Sequence, residues 1–128
     1  MLNKIAVHFV DGKVRKGTTE DFFPNKAVFH ITDKDSGLRQ EITIHDLKAI
    51  YFVKSFDGNP DHQERGDVER FGLGKKIRVH FMDDETLIGY TQGFTPARPS
   101  FIVFPSDPDS NNEKILVVTA ATNKVHFI

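Results

Sequence analysis

The chain repeats itself. Lys4-Ile5-Ala6-Val7-His8-Phe9-Val10-Asp11 returns 72 residues later as Lys76-Ile77-Arg78-Val79-His80-Phe81-Met82-Asp83. The register continues through Gly17/Gly89, Thr19/Thr91, Phe22/Phe94, Pro24/Pro96 and Phe29/Phe101, and 11 of the 28 paired positions in 4–31 and 76–103 are identical. A duplicated module constrains folding more than anything else here. Each unit of about 50 residues is near the lower size limit for an independent core, so two units must pack together or share strands.

Composition bounds the function classes. The 17 basic and 18 acidic residues nearly cancel, which argues against a chain whose main task is coating nucleic acid or an anionic membrane. With no cysteine, disulfides, thiolate catalysis and Cys-type zinc sites are excluded, and a reducing compartment fits. Met1-Leu2-Asn3-Lys4 runs directly into a strand pattern with no apolar signal core, and no apolar run approaches the ~20 residues that span a bilayer. The expected setting is the cytoplasm. The 12 Phe residues are sufficient for two compact β cores.

In the first unit, Ile5, Val7 and Phe9 alternate with Ala6, His8 and Val10, the period of a strand. Asp11-Gly12 signals a hairpin of type I′, and Gly17 marks a bend in the second strand. Further strands are expected at 27–32, 41–44 and 48–53, with a single 3₁₀ turn at His45-Asp46-Leu47. Residues 54–75 are polar and broken by Gly and Pro, and read as a linker pinned by Phe56, Val68, Phe71 and Leu73. The second unit repeats the plan near 76–82, 86–93, 99–104, 114–119 and 123–128. There Phe127 and Ile128 are expected to close a core. The sequence thus implies an all-β protein of two tandem five-stranded small barrels, residues 1–53 and 76–128, arising from an internal duplication and joined by linker 54–75.

The run Phe9-Val10-Asp11-Gly12, with Gly17, Phe22, Asn25 and Phe29 behind it, resembles the first signature of the Sm/LSm family. The resemblance covers about 20 residues of each unit and implies an Sm/SH3-like barrel. The Arg-Gly pair of the second Sm signature is missing, and Ala97 stands where the Sm-like Asn would fall, so RNA binding is not implied. Over its whole length the chain also looks like an uncharacterised family of bacterial proteins loosely associated with PilZ-type cyclic di-GMP signalling. Arg65 and Arg70 have the wrong spacing for a PilZ arginine pair.

The candidate residues are few. His80 and His126, on the outward sides of the first and last strands of the second unit, are candidate metal ligands, with no carboxylate placed by sequence to complete a site. Lys13, Arg15 and Lys16, with Lys26 nearby and Phe23 as a stacking surface, form the candidate nucleic-acid surface; blunting of an exposed strand edge explains the same charges. Leu87 and Ile88 replace Arg15 and Lys16 in the second unit, and a strand that has lost its charges faces protein, either the other unit or a second chain. The acidic loop Asp107–Glu113 lacks the glycine of a calcium loop. No nucleophile elbow, Gly-rich phosphate loop or metalloprotease helix is present. The reading is a non-catalytic interaction or regulatory module that takes a protein partner or associates with itself, with no cofactor. A single-sided RNA binder is the alternative, and a metal protein or small enzyme a distant third.

Overall fold

The computed structural model describes residues 2–128. Ten strands form: β1 (Asn3–Phe9), β2 (Val14–Thr19), β3 (Val28–Asp33), β4 (Arg39–Thr43), β5 (Leu47–Val53), β6 (Lys75–Phe81), β7 (Thr86–Thr91), β8 (Ser100–Pro105), β9 (Asn112–Val118) and β10 (Thr122–Phe127). Two 3₁₀ turns, Ile44–Asp46 and Thr119–Ala121, lead into β5 and β10. The all-β expectation stands. The strands are not divided between two sheets. All ten strands join one open antiparallel sheet in the order β10-β6-β7-β8-β9-β5-β1-β2-β3-β4.

That order repeats: β5-β1-β2-β3-β4 is followed strand for strand by β10-β6-β7-β8-β9. What joins the halves is the ladder between β5 and β9, with Ala49, Ile50, Tyr51 and Phe52 opposite Val117, Leu116, Ile115 and Lys114. From Ala49 to Val53 and from Ile115 to Val118 the two strands are apolar on both faces, as strands covered on two sides are.

Side-chain alternation places the two cores on opposite faces of the sheet. On one face, Ile5, Val7, Ile50 and Phe52 pack with Phe29, Ile31, Ile42 and Leu47, and with Leu116 and Val118 from the second half. On the other, Ile77, Val79, Phe101, Val103, Ile115 and Val117 pack with Ala6, Ala49 and Tyr51 from the first half. Each half therefore curls over one face and lends the back of its joining strands to the other core.

The hairpins differ from the type I′ expectation. In the first, Phe9 N–H donates to the Lys13 carbonyl at 2.9 Å and Gly12 N–H to the Phe9 carbonyl at 3.1 Å, and only Gly12 has positive φ (93°). This is a three-residue loop whose last residue is left-handed, the G1-bulge arrangement. The second hairpin repeats it with Phe81, Glu85 and Asp84 (φ 73°). Gly17 and Gly89 are required by close approach: a Cβ would overlap the carbonyl oxygen of Thr32 in one half and of Phe104 in the other.

The segment between β5 and β6 is fastened by hydrogen bonds as well as by Phe56, Val68 and Leu73, which are half-buried. Ser106 Oγ donates to the Val68 carbonyl at 2.6 Å, Asn111 exchanges two bonds with the Ser55 backbone, and Lys16 Nζ donates to the Phe56 carbonyl at 2.8 Å. Phe71, expected as a pin, is 87% exposed. Phe127 and Ile128, expected to close a core, are about half exposed, because β10 has no strand on its outer side among the described residues.

Candidate functional site

The repeat brings its two G1 turns side by side. Between them lies a groove of about 490 Å³ lined by Phe9, Val10, Asp11, Gly12, Met82, Asp83, Ala120 and Ala121, with Lys48 at its base. Val10 and Met82 occupy equivalent turn positions. They are 65% and 69% exposed, large apolar side chains held out at loop tips. Asp11 and Asp83 give the rim its acidic residues, and the Asp46 carbonyl behind it accepts the Val10 N–H.

Lys48 is buried because it sits on β5 where the halves meet. Its ammonium reaches Asp83 Oδ2 at 2.6 Å and Glu85 Oε2 at 2.8 Å and lies 4.6 Å from the centre of the Phe81 ring. Burial works to lower its pKa, but the two carboxylates outweigh it and hold the ammonium above its ordinary value. The Tyr51 hydroxyl donates to Glu85 Oε1 at 3.0 Å, and burial, followed by the charge of Glu85, pushes it well above the usual phenol range. The His8 ring lies 4.4 Å from that of Tyr51, and burial, then Lys48, lowers its pKa. Lys48 and Tyr51 both stay protonated with their hydrogen bonds committed. The network clamps the second hairpin to β5; it offers no activated nucleophile beside a free base.

The sequence-derived candidates are dispersed. His80 and His126 stack with rings 5.5 Å apart and 16° from parallel. Stacked rings do not converge on one ion, since a metal lies in the ring plane on the nitrogen lone pair. Arg78 stands opposite His126 and Lys124 opposite His80, so the neighbouring charges are cationic. The His126 pKa is lowered by burial, then by Lys124, and its Nδ1 has no hydrogen-bond partner.

Lys13, Arg15 and Lys16 line a groove on β2 together with Lys34, but Asp33 and Asp35 line it too. Lys13 is 3.8 Å from Asp11, and Lys16 is committed to Phe56. Lys26 lies in the loop past the far end of β2, with its ammonium 5.0 Å from the Phe23 ring centre. Leu87 packs on the core that contains Ala49 and Tyr51, and Ile88 lies under Gly66. That is where the halves and the connecting segment meet.

One cluster escaped the sequence reading. His62, Glu64 and Asp107 place one ligand atom each within 4.8 Å of one another. The buried Asp107 carboxylate accepts the Arg65 N–H at 3.0 Å, the Asp109 N–H at 2.8 Å and His62 Nε2–H at 2.8 Å. Burial works to raise its pKa, and those donors bring it below the ordinary value. Two backbone donors and the His62 ring already take up most of the Asp107 carboxylate. The set fits a latch holding the connecting segment to the loop after β8, not a metal centre. The signal available in sequence was the Ser106-Asp107-Pro108-Asp109-Ser110 run, whose Asx and Ser turns need backbone donors.

A family model matches residues 1–128, the whole chain. The chain belongs to DUF6982, a family of unknown function. No curated protein matches it, and no solved structure does. The whole-chain match is thus to DUF6982 and not to the Sm/LSm, SH3-like or PilZ-type families. Arg65 and Arg70 take structural partners: Arg65 pairs with Asp67 at 3.2 Å, and Arg70 Nη1 donates to the Pro105 carbonyl at 2.9 Å. No helix among the described residues of this DUF6982 chain is long and apolar enough to cross a membrane.

Proposed function

We propose that this DUF6982 chain is a non-catalytic interaction module working in the cytoplasm. Its docking site is the groove between the two G1 turns. The occupant is a segment of a partner protein that offers an apolar side chain flanked by Lys or Arg. The observation that carries this reading is the pairing of two exposed apolar side chains, Val10 and Met82, with an acidic rim formed by Asp11 and Asp83. Val10 and Met82, held out beside one groove, offer apolar surface that a partner side chain can cover, and the rim selects the charge of what does.

The same features support reading the halves as an internal duplication of a five-stranded Sm/SH3-like unit. Strand order, turn geometry and the Gly17/Gly89 close approach all recur. In the duplicate, the surface carrying Leu87 and Ile88 has become the contact between units. A single-sided RNA surface on Lys13, Arg15, Lys16 and Lys26 is the weaker reading, because its cations are largely committed and Asp33 and Asp35 stand among them.

Selection of displayed peptides against the chain tests the proposal. Recovered sequences should pair Leu, Ile, Met or Phe with Lys or Arg, and should lose affinity for a Val10→Ser/Met82→Ser double variant. Peptides indifferent to that double change would overturn it. A complex with single-stranded RNA that survives the change and weakens steeply with salt would replace it with the RNA reading.

A further inference from the structure

The ladder between the halves is a template for a second binding surface, independent of the groove. β5 and β10 are equivalent strands: Ala49, Ile50, Tyr51 and Phe52 lie opposite His8, Val7, Ala6 and Ile5, as Lys124, Val125, His126 and Phe127 lie opposite His80, Val79, Arg78 and Ile77. β5 is covered on its outer side by β9, whose Leu116 and Val118 complete the core beneath Ile50 and Phe52. No strand covers β10 among the described residues. Val125 is only partly buried, and Phe127, touching Phe94 at 6.2 Å between ring centres, is 50% exposed. The core of the second half is open where that of the first is closed.

The two faces of this free edge differ in chemistry. On one face Val125 and Phe127 present apolar side chains, with the Lys75 ammonium 5.8 Å from the centre of the Phe127 ring. On the other face Lys124 and Arg78 make a cationic strip that also carries the imidazoles of His126 and His80, where the first half has Ala49, Tyr51, Ala6 and His8. We propose that β10 takes an extended antiparallel segment of a partner protein, apolar opposite Val125 and acidic opposite Lys124 and His126. Main-chain ladder bonds supply affinity and the alternating side chains supply selectivity.

A second copy of the chain does not meet these requirements. In the register of the internal junction, its β4 would set Ile42 opposite Lys124, Glu41 opposite Val125 and Gln40 opposite His126, with apolar and acidic residues exchanged. Its first hairpin would bring Lys13 and Arg15, where the second hairpin has Glu85 and Leu87, against the cationic strip. β4 itself, five residues long with Arg39, Gln40 and Glu41 exposed, is a blunted edge.

The probe is a peptide copying Asn112–Val118 with Ile115→Glu and Val117→Glu, titrated into the full chain labelled for amide NMR. Shifts should concentrate at Lys124–Phe127 and on β6. The same peptide with Ile115→Lys and Val117→Lys should bind about tenfold more weakly, the effect of reversing two cross-strand charge pairs. A Lys124→Glu variant, altered at an exposed position, should invert that order. Equal binding of both peptides, or shifts confined to β4, would overturn the proposal. So would a dimer in sedimentation at the titration concentration, which would make a second copy the occupant. Shifts confined to Val10 and Met82 would also overturn it, while supporting the groove.

Discussion

Asp84 is the one non-glycine residue with positive φ among the described residues, and its equivalent in the first turn is Gly12. The left-handed region costs a residue with a Cβ roughly 1 kcal/mol, and no hydrogen bond from the Asp84 side chain offsets it. Asp84→Gly should therefore raise the urea midpoint at unchanged slope, partly offset by the greater freedom of glycine in the unfolded chain. Gly12→Asp should lower it. Asp21 sets a second expectation. Its carboxylate accepts the His30 N–H at 2.9 Å and lies 2.7 Å from His30 Nδ1; these contacts, the backbone bond foremost, bring its pKa from 3.8 to about 2. A depressed folded-state pKa gives stability that is full above the unfolded value and lost as pH falls through the folded one. The wild-type chain should lose stability between about pH 4 and pH 2, and Asp21→Asn should flatten that limb of the acid-unfolding curve. The left-handed Asp84 was legible, because the repeat aligns it with a glycine. The three-residue form of the loop was not, because Asp-Gly satisfies two hairpin geometries and only the ladder hydrogen bonds separate them.

Strands were legible from alternation, and their positions came out close to the ladders observed. The junction was not, although its signal was present: Ala49–Val53 and Ile115–Val118 are apolar at consecutive positions, as strands buried on both faces are. That residues 54–75 are pinned was legible, but their hydrogen bonds to Asp107, Ser106 and Asn111 were not, since such bonds leave no hydrophobic period to read. Two element-scale tests follow. Gly17→Ala and Gly89→Ala should each destabilise by about 3 kcal/mol, because the new methyl meets a neighbouring strand's carbonyl rather than a side chain that can turn aside; thermal or urea unfolding measures it. Lys48→Met keeps the packing on Phe81 and removes the charge, leaving Asp83 and Glu85, both about half exposed, unpaired. It should cost about 1–2 kcal/mol, and a double-mutant cycle with Glu85→Gln should return a coupling of about 1 kcal/mol.

At the scale of the whole molecule, neither half owns a complete core. Residues 1–53 lack Leu116 and Val118, and residues 75–128 lack Ala6, Ala49 and Tyr51. Either fragment alone should show poorly dispersed amide resonances, and mixing the two should restore a dispersed spectrum through the β5–β9 ladder. Dispersed spectra from both separate fragments would show that the halves fold independently. The same ladder also bears on the order of events in folding. The hairpins β1–β2, β3–β4, β6–β7 and β8–β9 connect neighbours in sequence, whereas Ile50 meets Leu116 across 66 positions. Contacts that close so long a loop pay its entropy before anything rewards them, so the junction belongs after the rate-limiting barrier. Trimming Ile50 to Val should then speed unfolding and leave the refolding rate nearly unchanged, and a nascent chain would hold its first five strands unfinished until β9 arrives.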